Sequence, residues 1–117
     1  MAASNLINAA RAWVGTKYRH QGRTRNGIDC IGLIIESFAD IGETLRGRED
    51  YSREPFNGEL EAEIFNYFAP VNKMQAGDVF LMSFAGHPIS HTAIYTGKNI
   101  IHAYSTVGKV VEQPFRD

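Results

Sequence analysis

One cysteine in 117 residues leaves no partner for an internal disulfide, so the fold cannot depend on an oxidising compartment. No apolar run approaches the ~20 residues that cross a bilayer. The opening Met1-Ala2-Ala3-Ser4-Asn5 has neither a basic flank nor an apolar stretch, so no signal peptide is expected and synthesis is placed in the cytoplasm. Charge of either sign is not in excess: the formal net charge is −1, which argues against nucleic acid or an anionic membrane as a partner. Repeats, linkers and low-complexity tracts are absent. So are the short ligand spacings Cys-x-x-Cys and His-Glu-x-x-His. Cys30, His91 and His102 amount to three zinc-type ligands, but without such spacing the chain is read as holding no metal and no cofactor.

What is present describes an ordinary globular domain. Hydrophobic residues make up 44% and charged residues 21%, and the length suits one domain with one core. Ser4 reads as a helix N-cap. Leu6, Ile7, Ala10, Trp13 and Val14 then recur at helical spacing until Gly15. Residues 16 to 28 show no period and read as a loop. Within it, Arg19, Arg23 and Arg25 read as a solvated basic cluster, with contact to an anionic substrate group the sharper alternative. A second helix is expected from Asp29 or Cys30 to about Asp40, with Leu33, Ile34, Phe38 and Ile41 on its apolar face and Gly42 as its stop. A short third helix is expected over 58 to 68. Beyond Gly77 the pattern becomes strands: Val79 to Phe84, Thr92 to Thr96, Ile100 to Tyr104 and Val110 to Glu112, with turns at Gly97-Lys98-Asn99 and Gly108-Lys109. Helices first and strands afterwards predict an α+β domain with an antiparallel sheet.

Cys30 is the residue that suggests chemistry. It stands where a polar loop turns into an apolar helix, in Gly27-Ile28-Asp29-Cys30-Ile31-Gly32-Leu33. The partial positive charge of a helix N-terminus favours thiolate there. Side chains alternate along strands, and a two-residue hairpin would put His91 and His102 on one side of the sheet, within reach of each other. Packing the Cys30 helix on that face would let His91 take the thiol proton while His102 orients His91. Backbone N–H groups at the helix start could then stabilise an oxyanion. His20 and His87 read as loop residues.

These segments resemble the NlpC/P60 cysteine peptidases. Asp29-Cys30-Ile31-Gly32-Leu33 is similar to their Asp-Cys-Ser-Gly-Leu segment, and Gly77-Asp78-Val79 to their Gly-Asp-Leu strand entry. His91-Thr92-Ala93-Ile94-Tyr95 is similar to their His-Val-Gly-Ile-Tyr strand, and Ile100-Ile101-His102-Ala103 to the strand that follows. The resemblance implies a papain-like α+β core and hydrolysis of amide bonds in bacterial cell-wall (peptidoglycan) peptides. It implies Cys30 as nucleophile, His91 as base and His102 as third member, with Tyr18 and Asp29 binding substrate. Two positions depart from the pattern: Ile31 replaces the usual serine, and His20-Gln21-Gly22 replaces the expected glycine pair. Within the family, the chain resembles the compact phage-tail and gene-transfer-particle members. That likeness implies a tail destination, tail proteins as partners and a further C-terminal segment beyond residues 1–117. A non-enzymatic tail-assembly part that keeps the fold is the alternative, and acyl transfer instead of hydrolysis a third reading.

Overall fold

Leu6, Ile7 and Ala10 occupy one stripe of helix α1 (Ala3–Arg11), and all three are buried. The computed structural model describes residues 3–45, 68, 71–82 and 91–115. Ser4 lies inside α1 and does not cap it. After Arg11 the chain tightens into i→i−3 turns, Trp13 N–H to Ala10 C=O at 3.0 Å and Val14 N–H to Arg11 C=O at 3.1 Å. That change of pitch keeps Trp13 in the core and turns Val14, expected on the apolar face, out to 46% exposure. Gly15 then reverses the chain at φ +94°.

The expected loop over 16 to 28 contains strand structure that two-residue segments are too short to reveal by period. β1 (Arg23–Thr24) and β2 (Gly27–Ile28) form a small antiparallel hairpin. Lys17 and Tyr18 make single bridges to Lys109 and Ile28. Of the basic cluster, Arg19 and Arg25 are exposed as expected, and Arg23 is drawn into the fold. Arg23 pairs with Asp29 at 3.1 Å, and the Arg25 guanidinium lies 3.4 Å over the Trp13 ring, with one nitrogen donating to the Ala12 carbonyl. Gln21 holds φ 62°, the left-handed region that favours glycine, which is where the family's glycine pair falls.

Helix α2 (Cys30–Asp40) begins where the sequence places it. Asp29 caps it, its carboxylate accepting from the Gly32 N–H at 2.8 Å. It ends in a Schellman arrangement: Gly42 at φ +88°, its N–H on Ala39 C=O and the Glu43 N–H on Phe38 C=O. A Cβ on Gly32 would overlap the Gly22 carbonyl oxygen, so glycine lets the preceding loop lie against the first turn of α2. Of the expected helix over 58 to 68, all but Phe68 falls outside the described residues; Phe68 packs on Phe38 with ring centres 5.3 Å apart.

β3 (Val79–Met82), β4 (His91–Tyr95), β5 (Asn99–Tyr104) and β6 (Lys109–Pro114) form one antiparallel sheet in chain order. β4 and β5 pair Ile94 with Ile101 and Tyr95 with Ile100. The Thr96 N–H to Asn99 C=O bond at 2.9 Å closes a tight turn with Gly97 at φ +108°. Ile94, Ile101, Ala103 and Val110 share one face by register, and α1 and α2 pack on it with Leu6, Trp13, Leu33, Ile34 and Phe38. Helices on one side of an antiparallel sheet are the α+β arrangement predicted.

Candidate active site

Residues at alternate positions along β4 and β5 put both imidazoles on one face, together with Tyr104. The rings hydrogen-bond: His91 Nε2 to His102 Nδ1 at 2.7 Å, both residues buried. Tyr104 stacks on His102 with centres 5.0 Å apart and lies 5.8 Å from His91. The far nitrogen of His102, Nε2, is 3.0 Å from Gln113 Oε1. An amide oxygen only accepts, so His102 donates from Nε2 and its Nδ1 must accept. His91 therefore donates from Nε2, which leaves its Nδ1 as an acceptor. This chain of groups fixes both tautomers.

The expectation that α2 lies on the imidazole face is not met. The apolar residues facing α2 are Ile94 and Ile101, of opposite parity to His91 and His102. The hydrophobic stripe of α2 packs on the face of Ile94, Ile101, Ala103 and Val110, which sequence parity alone did not identify as the packing face. The sulfur reaches the sheet at the start of β4, where the backbone of Thr92, the residue after His91, hydrogen-bonds to it.

Electrostatics also depart from expectation. Cys30 is 8% exposed and packs with Ile31 against Ile35, Phe68, Val79 and Leu81. Burial, and then the neighbouring Asp29 carboxylate, push its thiol up to about 12, while backbone hydrogen bonds at Thr92, Ile31 and Cys30 pull the other way. The helix N-terminus is present, but removing the thiolate from water outweighs it. Burial, and then His102, bring His91 down to about 3; His102 is also lowered, by burial against the opposing pull of Gln113. At neutral pH the groups are a thiol and two uncharged imidazoles.

Asp29 is 2% exposed, and its carboxylate takes the Gln21 N–H at 2.7 Å and the Gly32 N–H at 2.8 Å besides the Arg23 ion pair. Its oxygens are thus engaged within the fold. Tyr18 is partly buried against the main core, on the helix side of the sheet. The residue that sequence reasoning missed is Gln113. The strand expected to end at Glu112 continues to Pro114, and alternation from Val111 puts Gln113 on the imidazole face. Among the described residues no three His, Cys, Asp or Glu side chains gather as metal ligands.

A helix-borne thiol set against an antiparallel sheet that carries hydrogen-bonded imidazoles defines a papain-like α+β protein. The family model for NlpC/P60 matches residues 15–117, and the chain belongs to the NlpC/P60 family. It is 28% identical over 109 residues to the murein DD-endopeptidase/LD-carboxypeptidase MepS of Escherichia coli K12, covering 92% of this chain and 53% of that protein. It is 31% identical over 107 residues to the probable peptidoglycan endopeptidase LytE of Bacillus subtilis, covering 87% of this chain and 27% of that one. The chain thus spans about half, or less, of these curated relatives. Among solved structures, the NlpC/P60 domain of the peptidoglycan hydrolase SagA superposes with TM-score 0.73 at 20% identity, over 97% of this chain and 90% of that domain. An NlpC/P60 protein from Bacillus cereus gives 0.74 at 24% identity, over 100% and 36%. At these identities the structural likeness establishes the fold.

Proposed function

We propose that this chain is a cysteine peptidase hydrolysing amide bonds in bacterial cell-wall peptides. Cys30 is the nucleophile, His91 the base and His102 the group that orients it. The observation supporting this most is the relay from Gln113 through His102 to His91, which holds His91 Nδ1 as a proton acceptor beside the strand position where the sulfur is anchored. Membership of a family whose relatives include murein endopeptidases supports the substrate class.

Because the thiol rests protonated, proton transfer from Sγ to His91 accompanies attack on the carbonyl carbon. Backbone N–H groups at the mouth of α2 face the developing oxyanion. Protonated His91 gives its proton to the leaving amine, and water then cleaves the thioester with His91 again as base. Asp29 acts as a positioning residue that fixes the loop and first turn around Cys30; with its oxygens engaged inside the fold, it is not assigned a direct substrate contact. Tyr18 supports the same loop. Incubation with defined muropeptides and mass spectrometry of the products tests the reading.

The raised thiol favours one competing reading, an assembly part with an inert buried cysteine. Loss of cleavage on Cys30→Ala, with unchanged melting temperature, removes that alternative. The finer role as a phage-tail or gene-transfer-particle component rests on likeness of sequence, with the particle carrying the enzyme to the wall. Mass spectrometry of purified particles for this chain tests it.

A further inference from the structure

We infer that Lys17 and Lys109 form a subsite for a carboxylate of the peptide substrate. The inference rests on the peptidase reading and names one chemical requirement of its substrate.

Lys17 and Lys109 are directly opposite each other in an antiparallel bridge. The flanking bonds, Tyr18 N–H to Gly108 C=O and Val110 N–H to Thr16 C=O, both 2.9 Å, make this the non-hydrogen-bonded kind of pair, in which side chains stand closest. Like charges at such a position are destabilising. Among the described residues, the carboxylates in ion pairs are bound to Arg11, Arg23 and Arg25, and neither lysine has one. Two exposed lysines thus stand at one cross-strand position with no ion-pair partner among the described residues.

Their place in the sheet gives that charge a use. Lys109 pairs on its other side with Tyr104, so both lysines share the face that carries Tyr104 and the imidazoles. Lys17 is also tied to the cysteine arm: its carbonyl accepts the N–H of Ile28, two residues before Cys30, at 2.9 Å. The pair therefore joins the segment that presents the thiol to the strand row that presents the rings. An anion bound between two ammonium groups there lies beside a peptide in the site, and a carboxylate is the anion that a peptide carries.

The experiment compares one muropeptide bearing free carboxylates with the same peptide after their amidation. For Lys17→Gln/Lys109→Gln, KM toward the free-carboxylate peptide should rise about tenfold, the size of one charge-assisted hydrogen bond. Its kcat should hold, and the amidated peptide should be cleaved as by the parent. Lys109→Glu should raise the melting temperature by relieving the repulsion, while also raising KM. Equal effects on the two peptides, or none, overturn the subsite. Binding of both peptides to Cys30→Ala protein keeps the test separate from turnover. Discrimination that vanishes with the lysines supports the subsite even if no bond is cut, whereas absence of discrimination, or of binding, refutes it.

Discussion

Replacing Asp29 by Asn should make the protein less stable and its thiol more acidic at once. The carboxylate caps α2 through Gly32, holds Gln21 and pairs with Arg23, whose side chain is only 13% exposed. Removing one member of a buried pair strands the other, at about 3–5 kcal/mol. Asparagine keeps one oxygen for the Gly32 N–H but turns an NH2 group toward other donors, so the expected loss is about 3 kcal/mol. Against the ~5–15 kcal/mol that holds a domain together, this is a large fraction, about 10 °C in melting temperature. The same change removes the second cause of the raised Cys30 thiol, which should fall from about 12 toward its ordinary 9.0 without reaching it, because burial remains the larger cause. Calorimetry reads the first effect. The pH midpoint of iodoacetamide alkylation, followed by intact mass, reads the second. A melting temperature within ~2 °C of the parent, or an alkylation midpoint that stays or rises, would refute the place given to Asp29.

Three further outcomes follow from the geometry. His91 is about 3 folded against 6.5 as an ordinary value, so the unfolded chain binds the extra proton. Stability should therefore fall with pH below 6.5, by about 2 kcal/mol between pH 7 and 5 from His91 alone. Denaturant melts should show that slope shrinking in His91→Asn; an unchanged slope contradicts the assignment. The raised Cys30 works at the other end: its stabilisation is complete below 9.0 and lost as pH climbs toward 12, and Cys30→Ala melts should lack that alkaline loss. Gln113→Leu should lower turnover about tenfold, the worth of the one hydrogen bond removed, by releasing the tautomer of His102. Gln113→Glu keeps an acceptor and should stay active, with the acid limb of its pH–rate profile moved to higher pH; equal loss in both variants refutes the relay.

The sequence was most legible where one local signal decides the structure. The cap at Asp29, the stop at Gly42 and the turns at Gly97 and Gly108 each follow from side-chain or backbone chemistry within a few residues, and the helix and strands between them fall within two residues of expectation where they are described. Strand parity also brought His91 and His102 to one side. Long-range choices were hidden. Which sheet face would take α2 depended on comparing two apolar faces, and Ala93 and Ile100 make the imidazole face look nearly as apolar as that of Ile94 and Ile101. The thiol was misjudged for the same reason: the helix terminus is visible in sequence, but the packing of Ile35, Val79 and Leu81 around Cys30 is not. The bonds of Asp29 to Arg23 and the Gln21 N–H were hidden too, because nothing nearby in sequence announces either partner.

The most direct measurement is product analysis by mass spectrometry after muropeptides are incubated with the parent protein and with Cys30→Ala of matched melting temperature. The parent is expected to cut an amide bond and the variant to leave every peptide intact. Cleavage at the parental rate by the variant would contradict Cys30 as nucleophile.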